Sequence, residues 1–115
     1  MSKTVLVVDD EPGVCQLVME ILESNGYHGI EASEGLAAIR LLESGTVIDL
    51  LLVDLDLPNV HGRAVAQIAR TLRPHLPVIV MTGHGEFHLQ HDTMIERLGK
   101  PFSATELLAR LESCL

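Results

Sequence analysis

Aromatic residues are scarce in this chain, which has no Trp, one Tyr and two Phe among its 115 residues. A core therefore has to be built from Leu, Val, Ile and Ala. Since 47% of the residues are hydrophobic and 21% are charged, the composition excludes an intrinsically disordered chain. Residues 1–115 are predicted to form one domain, because a single core usually takes about 100 to 200 residues.

Cysteine is rarer still, with two residues in the chain. Cys15 and Cys114 form no CxxC motif, and both lie in segments with helical periodicity. This spacing argues against a disulfide framework or a zinc site. We expect both side chains to act as buried or half-buried small hydrophobic groups.

Positive charge and long apolar runs are also lacking. Eight Lys and Arg residues against sixteen Asp and Glu residues give a formal charge of −8. Such a charge repels phosphate backbones and anionic membranes, so we expect no direct nucleic-acid or membrane partner. No apolar run approaches the roughly 18 to 20 residues of a membrane span, and the first residues show no signal-peptide pattern. The sequence therefore predicts a cytoplasmic protein.

The chain instead alternates short apolar runs with amphipathic segments. Strands are predicted at residues 4–8, 27–32, 49–54, 77–81 and 94–98, and helices at residues 14–22, 33–43, 62–72, within 86–97, and from 103 onwards. Ser33 is expected to cap the second helix, and Ser103 with Glu106 forms a capping box for the last one. Val65, Ile68, Ala69 and Leu72 are expected to point inward from the third helix. Such alternation predicts an α/β fold, a doubly wound parallel sheet with helices on both faces.

Polar residues cluster where these strands end. They are, in strand order, Asp9, Asp10 and Glu11, then Asp54 and Asp56, then Thr82, and finally Lys100. In an open parallel sheet these ends share one edge, where ligands bind. Neighbouring carboxylates repel one another unless a cation offsets their charge, and an open oxygen-rich site suits Mg²⁺ or Mn²⁺. A metal-bound carboxylate beside a Lys and a Thr is equipped to accept a phosphoryl group as an aspartyl phosphate.

Four motifs at these strand ends carry a family resemblance. They are Val-Val-Asp9-Asp10-Glu11, Val53-Asp54-Leu-Asp-Leu-Pro58 with Gly62, Met81-Thr82-Gly83, and Lys100-Pro101-Phe102. Together they make the chain resemble the receiver domains of two-component response regulators. The resemblance implies the flavodoxin-like strand order 2-1-3-4-5. It also implies a module that takes a phosphoryl group from a sensor histidine kinase or histidine phosphotransfer protein and then changes its affinity for a downstream protein or output domain, without turning over an external substrate.

The resemblance implies roles for the acidic residues. Asp54 matches the phosphoacceptor. Asp10 matches the direct Mg²⁺ ligand, and Asp9 matches an acid that assists through water. The backbone carbonyl of Asp56 matches the third protein ligand.

Roles for the remaining strand-end residues follow from the same resemblance. Lys100 matches the lysine that pairs with the phosphoacceptor, across a cis peptide to the following proline, and Thr82 matches the switch hydroxyl. Gly83 is expected to leave the pocket open. The side chains of Asp56 and His84 match positions that tune the loss of the phosphoryl group to water.

One segment departs from the family pattern. Receivers usually carry a Tyr or Phe at the switch position three residues before the lysine, where this chain has Arg97. We expect Arg97 to be a solvated surface side chain, the alternative being that it swings toward the acidic pocket. The stretch between Thr82 and Lys100 is about one helical turn shorter than usual, roughly 5 Å of helix. The fourth helix, between the fourth and fifth strands, is therefore expected to be short or irregular.

Other functions remain open to the sequence. Asp54 and Asp56 also fit the paired aspartates of Mg-dependent haloacid-dehalogenase-type phosphatases, although two strands precede them here. A flavodoxin-type cofactor binder lacks the hydroxyl-rich or Gly-rich phosphate loop it would need. His84, His88 and His91 have spacings compatible with a helical metal site, without an acidic or Cys partner in that segment. The same receiver module could also belong to a longer regulator with its output beyond Leu115.

Overall fold

The computed structural model describes residues 2–83 and 94–115. The elements are β1 (Thr4–Val8), α1 (Pro12–Ser24), β2 (His28–Ala32), α2 (Gly35–Glu43), β3 (Leu50–Asp54), α3 (Gly62–Leu72), β4 (Val78–Thr82), β5 (Ile95–Gly99) and α4 (Ala104–Cys114). The fourth helix predicted from the sequence lies outside the described residues. No helix in the described part of the chain combines the length and the apolar character needed to cross a bilayer.

The strands form one parallel sheet in the order β2-β1-β3-β4-β5. This confirms the predicted parallel sheet and its flavodoxin-like order. In the register of the central strands, Val8 pairs with Val53, and Asp54 pairs with Met81. The ends of β1, β3 and β4 therefore lie level with one another at one edge.

The sheet separates two apolar clusters, which explains why its strands read as continuous apolar runs. On one face α2 and α3 pack against Leu6, Leu51 and Val80, and on the other α1 and α4 pack against alternate residues of the same strands. The second cluster holds, among others, Val7, Leu52, Met81, Cys15, Val18, Leu107 and Leu111. Helices thus cover both faces, as predicted.

Local signals in the sequence placed several element ends correctly. Helix α1 ends at Ser24 before the sequence Asn25-Gly26, a typical helix stop, and Gly26 adopts the left-handed conformation with a φ of 84°. The capping box of α4 is present, with the Ser103 hydroxyl accepting the Glu106 N–H at 3.1 Å. These ends were predictable because each depends on a local residue type.

Two local predictions are wrong. The N-cap of α2 is Glu34 rather than Ser33, and its side chain makes no capping hydrogen bond. Leu72 is 43% exposed, whereas Ala66 is fully buried. Leu72 is the last residue of α3.

Candidate functional site at the carboxyl edge of the sheet

Lys100 connects two carboxylates that come from different strands. Its Nζ donates to Asp9 Oδ2 and to Asp54 Oδ2, each at 3.1 Å. Asp9 directly follows β1, Asp54 ends β3, and Lys100 follows β5. The structure thus brings together three of the predicted site residues, which lie up to 91 positions apart in the chain.

Both carboxylates are buried and held by their own backbone. Asp9 is 1% exposed and Asp54 is 2% exposed. Asp9 Oδ1 accepts the N–H of Glu11 at 2.9 Å, and Asp54 Oδ1 accepts the N–H of Asp56 at 3.1 Å. Each aspartate therefore has one oxygen bound to a loop N–H and the other directed at Lys100.

The charges in this pocket shift the pKa values of its groups. Burial raises the pKa of the Asp9 carboxyl, and the nearby Asp54 charge raises it further, against the hydrogen bonds from Glu11 and Lys100. Burial alone would lower the pKa of the Lys100 ammonium, but its hydrogen bonds and charge interactions with Asp9 and Asp54 outweigh burial, so this pKa is raised. The pocket consequently keeps its lysine charged while its carboxylates crowd one another.

A third carboxylate, Glu11, completes a group that could hold a metal ion. Asp9, Glu11 and Asp54 each offer a carboxylate oxygen, and these oxygens lie within 4.8 Å of one another. Such hard oxygen donors suit Mg²⁺ or Mn²⁺. Three carboxylates share a single lysine here, and a divalent cation would offset the repulsion between their negative charges. The residues present therefore fit this ion.

Two of the residues predicted to bind the metal, Asp10 and Asp56, lie outside this group of carboxylates. Asp10 is exposed and is not part of the metal-binding group found among the described residues, and the side chain of Asp56 is exposed as well. The ligand roles of Asp10 and of the Asp56 carbonyl remain predictions. The sequence predicted Glu11 at the strand end without a role, and the one signal for it was its position directly after Asp9 and Asp10.

Thr82 and Gly83 lie next to this group at the end of β4. Thr82 is 2% exposed, and its carbonyl accepts the N–H of Lys100 at 2.7 Å. The peptide bond between Lys100 and Pro101 is cis, as the resemblance implied. Gly83 is exposed, and a Cβ added there would meet no described atom within 4 Å. The open pocket expected at Gly83 is consistent with this geometry.

Gly62 positions the loop that follows Asp54. Its N–H donates to the Leu55 carbonyl at 3.1 Å, and a Cβ at this position would collide with the Asp54 carbonyl oxygen. Within the same loop, Leu55 and Leu57 are buried, and Asn59 takes a φ of 65°. The start of α3 is therefore pressed against the backbone of the central aspartate.

Arg97 and the histidines complete the set of predicted site residues. Arg97 is exposed in β5, as expected for a surface arginine. His84, a predicted tuning residue, lies outside the described residues, and so do His88 and His91 of the possible helical metal site.

Both cysteines are free, and they have the burial expected from the sequence. Cys15 is 5% exposed and Cys114 is half-buried. The Cys15 thiol donates to the Asp9 carbonyl at 3.2 Å. Burial, reinforced by the negative charges of Asp9 and Glu31, raises the pKa of Cys15 to about 11.

Comparison with known proteins identifies the family. The response regulator receiver domain family matches residues 5–112, which include every described residue of the pocket. The chain belongs to this family. As a receiver domain, it is not a classical enzyme, and the haloacid-dehalogenase alternative is not supported.

The receiver domain is similar to both short and long relatives. It is 27% identical to Sporulation initiation phosphotransferase F of Bacillus subtilis, over 93% of this chain and 89% of that protein. It is 32% identical to Alkaline phosphatase synthesis transcriptional regulatory protein PhoP of the same organism, covering all of this chain but only 49% of PhoP. The chain thus spans about half the length of that longer regulator.

A solved receiver with a metal supports the fit of the acidic group. The response regulator protein TrrA of Thermotoga maritima, solved in complex with Mg²⁺-BeF, is 31% identical and matches with a TM-score of 0.86 over 98% of this chain and 99% of that one. That protein was thus solved with bound Mg²⁺-BeF, and in the described part of this chain the group of oxygens that could hold a metal ion is that of Asp9, Glu11 and Asp54.

Proposed function

We propose that residues 1–115 form a cytoplasmic receiver domain in which Asp54 accepts a phosphoryl group. The observation that supports this most directly is the contact of a buried Asp54 carboxylate with Lys100 at 3.1 Å beside two further acidic side chains. The phosphodonor is a sensor histidine kinase or a histidine phosphotransfer protein. The result is a changed affinity for a downstream protein or output domain, with no direct nucleic-acid or membrane contact.

Asp54 and Lys100 act directly in the transfer of the phosphoryl group. An oxygen of Asp54 forms a bond to phosphorus as the bond between phosphorus and the donor's imidazole nitrogen breaks, and the imidazole leaves. Lys100 Nζ lies 3.1 Å from Asp54 Oδ2. Its ammonium group is therefore close enough to stabilise the negative charge on the oxygens of a phosphoryl group attached to Asp54. Burial of Asp54 leaves the carboxylate little solvation to lose when it attacks.

The acidic group would hold a Mg²⁺ or Mn²⁺ ion. When bound, this ion supplies positive charge that offsets the charge of the phosphoryl oxygens. Asp9 and Asp54 are the buried carboxylates of the group, and Asp10 and the Asp56 carbonyl are the further ligands that membership of the family implies. The side chains of Asp56 and His84, together with the small Gly83, set how readily water removes the phosphoryl group.

The signal leaves the pocket through β4 and β5. A phosphoryl group adds about −1.5 to −2 charges and new acceptor oxygens beside Lys100. Thr82 is buried at the end of β4, and its carbonyl is bonded to the Lys100 N–H, so the two loops are mechanically joined. Recruitment of the Thr82 hydroxyl to a phosphoryl oxygen would bias these loops toward a second arrangement.

The test is the intact mass of the protein after incubation with acetyl phosphate and Mg²⁺. We expect the wild type to gain the mass of one phosphoryl group and Asp54→Asn to gain none. Glu34→Gln is the control, because it removes one exposed carboxylate at the N-cap of α2, outside the pocket, and it should still be labelled.

Two results would contradict the proposed function. The first is equal labelling of the wild type and Asp54→Asn. The second is many turnovers of a chromogenic phosphoester by the wild type, which is the behaviour of a phosphatase rather than of a self-modifying receiver domain.

A further inference from the structure

Glu11 begins helix α1 without capping it. An N-cap residue usually offers a side-chain oxygen to the first N–H groups of the helix, and Ser, Thr, Asp and Asn suit this role best. Glu11 occupies the N-cap of α1, but its side chain makes no capping hydrogen bond. Its carboxylate instead lies on the Lys100 side, with Oε1 3.7 Å from Nζ.

The three carboxylates of the pocket differ in how firmly their oxygens are held. Both oxygens of Asp9, and both of Asp54, accept hydrogen bonds, one from a loop N–H and one from Lys100. Within residues 2–83 and 94–115, the Glu11 carboxylate accepts no hydrogen bond, and its ion pair with Lys100 is the longest of the three at 3.7 Å. A ligand oxygen from Glu11 can therefore be supplied without breaking a hydrogen bond.

Glu11 is the exposed member of the group. Its side chain is 63% exposed, compared with 0% for Asp9 and 3% for Asp54. Its backbone, in contrast, is anchored, because the Glu11 N–H donates to Asp9 Oδ1 at 2.9 Å. The side chain can swing from the lysine toward a cation while its Cα stays in place.

The charge balance favours the same role. Asp9, Glu11 and Asp54 against Lys100 leave two formal negative charges, which matches a divalent cation. Without Glu11 these groups would carry one net negative charge, before any contribution from Asp10, which lies outside this group in the structure and is the further ligand named above.

Building on the proposed function, we propose that Glu11 supplies a carboxylate to the divalent cation of this receiver domain. Its side chain would leave Lys100 as the cation arrives, so that the lysine keeps only its two buried partners. Glu11 thereby adds affinity for the cation, while Asp54 remains the group that is phosphorylated.

The test is a titration with Mn²⁺ followed by electron paramagnetic resonance of the free ion, without any phosphodonor. We expect Glu11→Gln to raise the dissociation constant on the order of tenfold, and Glu11→Asp to give a smaller increase. Glu34→Gln is a closely matched control, since Glu34 is the exposed N-cap of α2 and also makes no capping bond. It removes the same charge and should change the constant less than twofold.

The outcomes separate this inference from the proposed function. Equal Mn²⁺ affinity of Glu11→Gln and Glu34→Gln, with a loss in Asp10→Asn, would overturn the role of Glu11 and leave phosphorylation of Asp54 untouched. Unfolding in urea without metal checks the fold, and Glu11→Gln should match Glu34→Gln there because neither side chain caps its helix. A wild type that binds no Mn²⁺ overturns the inference and also removes the metal from the proposed function.

Discussion

Asp9 and Asp10 are neighbours in the sequence, but the structure treats them differently. Asp9 is 1% exposed and bonded to Lys100, whereas Asp10 is exposed. Because β1 ends at Val8, the turn that follows directs the first aspartate into the sheet edge and leaves the second toward solvent. Two consecutive aspartates thus become one buried ion-pair partner and one surface carboxylate.

Cys15 links the pocket to the alkaline stability of the protein. Its thiol is buried behind Asp9 and donates to the Asp9 carbonyl, so the thiolate is disfavoured on two grounds, burial and negative charge. Its pKa rises from 9.0 to about 11 on folding. The stability that this shift contributes is fully present below pH 9.0 and is lost as the pH rises toward about 11.

We therefore expect the free energy of unfolding to fall by about 1 kcal/mol between pH 8 and pH 10 through Cys15 alone. Urea unfolding of the wild type and of Cys15→Ala at both values measures it. The variant loses packing at every pH, so only the difference between its pH dependence and that of the wild type is informative. Parallel pH dependences of the two proteins would show that Cys15 has an ordinary pKa.

At the scale of elements, helix α3 is attached to the loop after Asp54 through a glycine. A Cβ at Gly62 would meet backbone atoms of Asp54 and Leu55, which cannot rotate away as a side chain can. The Gly62 N–H also bonds the Leu55 carbonyl. The start of α3 and the end of β3 are therefore one mechanical unit.

Gly62→Ala should destabilise the protein by about 3 kcal/mol and slow labelling by acetyl phosphate, because relief of the collision displaces the Asp54 backbone. Gly13→Ala is the control, since Gly13 lies inside α1 and a Cβ there meets no described atom within 4 Å. That change should be neutral or slightly stabilising. Urea unfolding and intact mass measure both effects, and equal behaviour of the two variants would contradict this account of Gly62.

Arg73 ties the far ends of two helices together. It follows α3 and donates to the carbonyls of Leu41 and Leu42 in the last turn of α2 and of Thr46 in the loop after it, at distances from 2.7 to 3.4 Å. These carbonyls include the last ones of a helix, which have no partner inside it. The Arg73 guanidinium thus donates to three carbonyl oxygens and links the C-terminal end of α3 to the C-terminal end of α2 and the loop after it.

At the scale of the whole molecule, the pocket is a place where the folded state accumulates negative charge. Only the folded chain brings Asp54 within 4.8 Å of Asp9 and Glu11, because Asp54 ends β3 whereas the two others share the turn after β1. A cation that binds there binds the folded state and not the unfolded one, so it stabilises the fold by mass action.

Mg²⁺ at about ten times its dissociation constant should stabilise the wild type by about 1.4 kcal/mol, or roughly 5 °C in the thermal midpoint. The shift should largely disappear in Asp54→Asn. Thermal unfolding by circular dichroism, with NaCl at equal ionic strength as the control, measures it. An equal shift in NaCl would mean that the ion acts by screening and not by binding.

The sequence alone determined the α/β class, the parallel sheet and the polar residues at its carboxyl edge. These follow from uninterrupted apolar strands, from helical spacing between them, and from polar residues at each strand end, all of which are local patterns. The four strand-end motifs then indicated the receiver domain family. The capping box at Ser103 was predictable for the same reason, since its two partners are three residues apart.

Only the tertiary structure decided which carboxylates meet. Asp9 and Glu11 reach Lys100 while Asp10 stays exposed, and the side chain of Glu11 faces the pocket instead of capping α1. No local pattern encodes this, because the direction of each side chain depends on how the β1 turn packs against a lysine 91 positions away from Asp9. The exposure of Leu72 was not predictable either, since the helical period marks a face of α3 but not which residues of that face other elements cover.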